Sequence, residues 1–302
     1  MSIAALAFPD LARGIARISS RDPIVIGSEA HKTLFCHALL DTFNPYRPAV
    51  LDWPRLDDAA RERLIGLPIW DIAVQTEGKA GLRAKTYGER IRDPLLARAI
   101  ALNAFEESRH KHVLSNLVEA YGIKLSPELV FVKPRDAEWA FMVTGYSECI
   151  DSFFAFGLFE MARRSGFFPP ELVETFEPVM QEEGRHILFF VNWAAWHRRN
   201  MPWWRRPWFV LKSLGVWVFL VWERLSIARD VNGNARDNNF TLTGTGQVGA
   251  DITLAQLLDI CLAENDRRLD IYDARLLRPR AVPALARMAR RFLGNAKRPV
   301  RG

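Results

Sequence analysis

A five-residue pattern occurs twice in this chain, as Glu106-Glu107-Ser108-Arg109-His110 and as Glu182-Glu183-Gly184-Arg185-His186. Both copies read Glu-Glu-x-Arg-His. In each, a glutamate and a histidine stand three positions apart, which places them on one face of a helix. Two Glu-x-x-His pairs on two helices, joined by one glutamate from each of two further helices, make the ligand set of a dinuclear metal site inside a four-helix bundle. Few other arrangements give buried work to so many charged residues, so the pattern constrains the fold as much as the chemistry.

The helical reading extends along the chain. Leucine, alanine and arginine recur at helical spacing and strand-like alternation is scarce, so the expected class is all-α. Ser28 to Asp41 reads as a first helix, stopped by Asn44-Pro45, and Asp57 caps a short helix through Leu64. The bundle helices are expected at 67–92, 93–121, 136–165 and 169–199. Asp93-Pro94 gives a cap followed by proline at the first helical position. Pro178 lies inside the fourth helix and should kink or restart it. Further helices are expected at 253–277 and 282–293. The stretch 231–251, rich in Asn, Gly, Thr and Asp, reads as a loop. This divides the chain into an N-terminal helical extension (1–66), a metal-binding bundle (67–199) and a C-terminal helical region (200–302).

Antiparallel neighbours must bring their ligands to similar heights. Glu107 lies 14 residues past Asp93, and Glu77 lies 15 residues before Arg92. Asp71 would sit about 9 Å further along at roughly 1.5 Å per residue. In the second pair Glu183 is 14 residues past Pro169 and Glu148 is 17 before Ser165, whereas Glu160 is too near the turn. The expected ligands are therefore Glu77, Glu107, His110, Glu148, Glu183 and His186. Glu106 and Glu182, each next to a ligand but turned away from it, are expected to accept the other ring N–H of a ligand histidine. Arg109 and Arg185 are expected to hold those carboxylates by paired hydrogen bonds. The other reading of all these charges is a set of solvated helix faces.

Other candidates are weaker. Asp151, one turn past Glu148, reads as an extra ligand, a proton relay or a solvated group. Tyr146 reads as a core residue or a donor near the site. His31, His37, His112 and His197 lack ligand spacing. Gly244-Thr245-Gly246-Gln247-Val248-Gly249 matches a dinucleotide-binding pattern without the strand-turn-helix context it requires. Phe153, Phe154, Phe156, Phe159, Phe189 and Phe190 read as core or as the lining of an apolar channel.

The Glu-Glu-x-Arg-His copies resemble the Asp/Glu-Glu-x-Arg-His signature of bacterial multicomponent monooxygenase hydroxylases, in the ferritin-like di-iron carboxylate superfamily. The short link from His110 to Glu148 is more similar to rubrerythrins and to membrane-bound demethoxyubiquinone hydroxylases. The resemblance covers about Leu67 to Arg199. It implies a ferritin-like four-helix bundle with added N- and C-terminal helices, two iron ions (or a manganese–iron pair), and O2 as co-substrate. The chain departs from a standard rubrerythrin in having no four-cysteine module, and Pro178 stands five residues before Glu183.

The expected function is a di-iron, oxygen-dependent oxidoreductase of hydroxylase or monooxygenase type acting on an apolar organic compound. With no flavin or iron–sulfur motif, electrons are expected from a separate reductase. One alternative is a peroxide-scavenging or iron-oxidising protein; another is a membrane-interaction protein with a structural metal site. Three separated cysteines fit a reducing compartment, and the N-terminus does not read as a secretory signal, because Pro9 and Asp10 interrupt its apolar part. The expected location is cytoplasmic, with peripheral attachment to the inner face of a membrane. Lys plus Arg number 41 against 35 for Asp plus Glu, a net charge of +6. Arg198 to Trp208 concentrates Arg and Trp, and Trp208 to Trp222 is apolar but short of the roughly 20 residues a span needs. An anionic membrane surface is the expected partner of this segment; packing on the bundle or in a homodimer is its rival. No nucleic acid partner is expected.

Overall fold

Five helix starts are set by short polar side chains that take up otherwise unpartnered N–H groups. The computed structural model describes residues 23–67, 69–127, 130–230 and 253–294. Ser28 caps α1 (Glu29–Leu40) and Asp57 caps α2 (Asp58–Ile65). Next comes α3 (Trp70–Gly88). Asp93, with Pro94 behind it, opens α4 (Pro94–Ala120), and Asp136 opens α5 (Ala137–Ser165). Then follow α6 (Pro170–Thr175), α7 (Glu177–Asn200) and α8 (Arg206–Asp230). A reciprocal Thr253–Gln256 capping box starts α9 (Leu254–Leu269), and α10 (Ala281–Gly294) ends the described chain. Among the described residues there is no strand, so the fold is all-α. The N-terminal signal reading, the 231–251 loop and the Gly244–Gly249 pattern lie outside the described residues.

Several expected boundaries shift. The helix expected at 67–92 covers only 70–88. Proline disfavours helical backbone in the residue before it, and Asp93 is extended, so the chain leaves α3 early to restart at Pro94. The helix expected at 169–199 is two, α6 and α7, with Pro178 in the first turn of the second, where its missing N–H costs nothing. The helix expected at 253–277 stops at Leu269. Beyond it Asp273 accepts from the Arg275 N–H, and the Arg278 guanidinium donates to the carbonyls of Tyr272, Asp273 and Leu276. Those bonds stabilise a turn in place of another helical one. In the other direction, the apolar stretch 208–222 lies within the longer α8. Among the described residues no helix is long and apolar enough to cross a membrane.

Trp193 of α7, fully buried, lies at the centre of the main core. Its ring stacks on His197 and meets Tyr87 of α3, Phe141 of α5 and Phe209 of α8 edge-on. Leu34, Phe35, Cys36 and Leu39 bring α1 into the same cluster, and Leu269, Tyr272 and Leu276 bring the end of α9 and its following turn. One amide ties these ends together. Asn192 of α7 accepts from the Leu277 N–H, donates to the Leu277 carbonyl, and pairs with His31 Nε2 of α1 at 2.9 Å. A second core, around Phe153, Leu158 and Met161, joins α5 to α9 and α10.

Close helix approach depends on glycine at one point above all. A Cβ on Gly145 of α5 would fall 2.1 Å from Phe190 of α7. Gly145→Ala gains about 0.8–1 kcal/mol of helix propensity but overpacks this contact, at a cost of about 1–3 kcal/mol. We expect net destabilisation of about 1 kcal/mol, read as a lower urea midpoint with unchanged slope; an unchanged or higher midpoint would show that Phe190 yields freely.

Candidate metal centre

Helices α3, α4, α5 and α7 surround a buried acidic and histidine cluster that could hold a metal. Glu77 comes from α3, Glu107 and His110 from α4, Glu148 from α5, Glu183 and His186 from α7. Their donor atoms form two groups in which every atom lies within 4.8 Å of the others: Glu77, Glu107, His110 and Glu183 in one, Glu107, Glu148 and His186 in the other. Glu107 belongs to both. Gly81 lets α3 reach this depth, since a Cβ there would meet Ser108 Oγ at 2.9 Å and stand beside the Glu107 side chain.

Four donor atoms in this space are buried and without a hydrogen-bond partner: His110 Nδ1, His186 Nδ1, Glu107 Oε1 and Glu148 Oε1. They crowd one another regardless. His186 Nδ1 is 2.7 Å from Glu107 Oε1, and His110 Nδ1 is 3.2 Å from Glu183 Oε1 and 3.6 Å from Glu77 Oε2. Unpartnered buried polar atoms are costly, and so many aimed at one place fit cations that would bind them all. Carboxylate and imidazole donors suit iron and manganese. The Ser152 hydroxyl fixes the other oxygen of Glu183 at 2.8 Å.

The outer sides of the two imidazoles are held in a crossed arrangement. His110 Nε2 pairs with Glu182 Oε2 at 2.8 Å, and His186 Nε2 pairs with Glu106 Oε2 at 2.8 Å. Arg109 donates to Glu182 Oε1 at 2.5 Å, and Arg185 to Glu106 Oε1 at 2.7 Å. Each copy of the pattern thus supplies the histidine and arginine that bind the outer glutamate of the other copy. Glu106 and Glu182 lie outside both donor groups. Other arginine donors reach a segment at the end of α1. Arg185 donates to the Leu39 carbonyl and to Thr42 Oγ1; Arg109 donates to the carbonyls of Asn44 and Tyr46. Tyr46 lies under the Arg109 guanidinium at 4.0 Å, and its hydroxyl is 3.4 Å from Glu182. Sequence reading missed this segment, because carbonyl acceptors leave no signature in side-chain pattern.

Burial and pairing set the charges. Burial would depress the His110 pKa, but Glu182, Glu183 and Glu77 outweigh it and carry it well above the usual imidazole value. His186 is raised in the same way by Glu107 and Glu106. Burial lifts Glu77 to about 8, opposed by His110 and assisted by Glu107. Burial and the neighbouring Glu107 push Glu148 well up. Glu106 feels the same burial, yet Arg185 and His186 hold it down at about 2. His110 and His186 are thus drawn towards their charged forms, and Glu77 and Glu148 towards their neutral ones.

The weaker candidates have other work. Asp151 pairs with Arg224 of α8 and with Ser147. Tyr146 packs on Phe190 and Trp217. His31 is bonded to Asn192, His37 to Asp41 and His197 to Glu138, and His112 is exposed. Asp71 accepts from Ser126, and Glu160 pairs with Arg163 and Arg164. Phe153, Phe156, Phe189 and Phe190 are buried in the two cores. No family model, curated protein or solved structure matches the chain.

Two outcomes follow from this geometry. Metal ligands must be deprotonated, and the pKa values of His110, His186, Glu77 and Glu148 are all raised, so binding near neutral pH should release protons. Affinity should rise as pH climbs towards about 8, the pKa to which Glu77 is lifted. Calorimetry in buffers of different ionisation enthalpy detects the release, and a heat independent of buffer would contradict it. Separately, Arg185→Met leaves Glu106 buried without its guanidinium, which costs about 3–5 kcal/mol. A chemical-denaturation loss below about 1 kcal/mol would mean the crossing does not hold the fold.

Proposed function

We propose that the cluster binds two iron ions, with a manganese–iron pair as the variant, in a ferritin-like bundle of α3, α4, α5 and α7. On this reading the chain is an oxygen-dependent oxidoreductase of hydroxylase type that acts on an apolar organic compound. The observation that supports it is the convergence of four unpartnered buried donor atoms from α4, α5 and α7, with Glu77 and Glu183 beside them.

Bound iron would supply electron transfer to O2, drawn from a separate reductase. The chain's own residues do the rest. Glu77, Glu107, His110 and Glu183 would hold one ion, and Glu107, Glu148 and His186 the other. Glu107, common to both groups, would be available to both ions. Glu106 and Glu182 accept the outer N–H of each imidazole, which fixes ring orientation and keeps Nδ1 facing inward. Arg109 and Arg185 donate to those glutamates and hold them in place. Two of the cluster's glutamates, Glu77 and Glu148, are half-buried. The Glu77 side chain is 22% exposed, whereas those of His110, His186 and Glu107 are at most 2% exposed. Phe131 lies against Gly78, the next residue to Glu77. A small oxidant and an apolar compound would arrive on this side, while the packed phenylalanines behind keep water away.

The test is metal content followed by oxygen consumption. After iron-supplemented expression the chain should hold about two equivalents, as two-metal sites do. Glu107→Ala removes the donor common to both groups and should empty both; Glu148→Ala should cost about one equivalent. Full metal content in both variants would sink the assignment. With a chemical reductant, O2 uptake should depend on an added apolar compound. Rapid turnover of peroxide or free ferrous iron alone would move the chain to the scavenging or iron-oxidising class.

A further inference from the structure

Helix α8 packs by one side only. Phe209, Val216 and Leu220 are buried, while Trp208, Leu211, Leu214, Val218, Val221, Trp222 and Leu225 are exposed, Val218 by 69% and Trp222 by 63%. At about 100° per residue the exposed set forms one stripe along the helix, opposite the buried set. Trp203 and Trp204 extend it past the N-terminal end and are exposed as well. Such a contiguous apolar face is larger than scattered surface residues account for.

Helix α10 is built the same way. Val282 and Ala286 face the core, while Leu285, Met288 and Phe292 are exposed, Phe292 by 75%. Both helices pack on α5, and Trp217 of α8 and Leu293 of α10 join the same apolar cluster.

We propose that α8 and α10 together form a surface that lies on an anionic lipid bilayer, with the bundle above it. Charge selects this occupant. Around the apolar stripe stand Arg205, Arg206, Arg280, Arg287, Arg290 and Arg291. Among the described residues Arg205, Arg280 and Arg291 form no ion pair; Arg290 binds Asp259, and Arg287 stands 3.8 Å from Asp266. α10 contains no acid. The acid in the described part of α8, Glu223, lies five residues past Val218, roughly 140° round the helix, and interacts with Arg83 of α3. Lys212 turns inward to Asp136 and Glu138. The rim that remains is basic. In a two-fold interface between copies it would set arginine against arginine, whereas anionic headgroups neutralise it. Exposed tryptophan at both ends of the stripe matches the depth at which indole rings settle in an interface. Neither helix can cross, so attachment is along the plane.

Flotation with vesicles tests this on the full chain. Vesicles of phosphatidylcholine with ~30% phosphatidylglycerol should carry the protein at low salt, at least about tenfold more tightly than phosphatidylcholine alone. Added salt should weaken the binding, because exposed charge attraction is screened. Leu211→Glu with Val218→Glu, both on the exposed stripe, should abolish flotation with an unchanged circular dichroism spectrum. Arg280→Gln with Arg291→Gln should weaken binding about tenfold to the anionic vesicles alone. The proposal is overturned if the unmodified chain stays with the soluble fraction at low salt, or if the Leu211/Val218 variant floats as well. It is also overturned if the unmodified chain is a dimer that this variant dissociates, with no vesicle binding; the face then belongs to a second copy. None of these readouts depends on metal content.

Discussion

The structure rests on a crossed exchange. Glu106 is held by Arg185 and His186, and Glu182 by Arg109 and His110, so neither copy of the pattern satisfies its own outer carboxylate. Four ionisable groups on α4 and four on α7 are buried at a contact where the two helices would otherwise offer each other only apolar surface. A buried charge is tolerable only when paired and hydrogen-bonded. The pairing here exists only when both helices are present at one height and one rotation. The exchange is thus the registration device for the cluster: it aims two Nδ1 atoms inward by fixing two Nε2 atoms outward.

Around this exchange the N-terminal helix acts as part of the site. The two arginines share the turn from Leu39 to Tyr46 as their acceptor, one at each end. α1 therefore caps the charged pair in the way a loop caps a helix end, supplying carbonyl oxygens to donors the glutamates leave over. Lys32 of α1 is bonded to Asp93 at the start of α4. α1 is in this way anchored at the start of α4 and over the charged pair.

Much of this was legible in the amino-acid order. Helix starts were, because Ser28, Asp57, Asp93 and Asp136 are local signals with local causes. So were the heights of Glu77 and Glu148, because helix rise is constant and turns are short. Helix ends were less so. The stop at Leu269 depends on Asp273, Arg278 and a distant Asn192, and no local signal near residue 270 announces it. That Glu106 and Glu182 would each hold an imidazole could be read from their neighbours; that each would hold the one from the other helix could not, because identical patterns are interchangeable until three-dimensional packing assigns partners. The Leu39–Tyr46 acceptors were invisible for a different reason: they are backbone atoms, common to every residue.

Asn192 carries a consequence beyond tying α1 to the turn that follows α9. Apolar packing is nearly indifferent to direction, so a helix seated on Trp193 and its aromatic neighbours could roll. Hydrogen bonds are not indifferent. Adjacent residues on a helix differ by about 100°, and a roll of that size would present Glu182 where Glu183 belongs. The amide of Asn192, engaged with Leu277 on one side and His31 on the other, works as a keyway cut into α7 six residues past His186. Contacts at His31 and Leu277 thereby choose which of two adjacent, chemically identical side chains faces the centre.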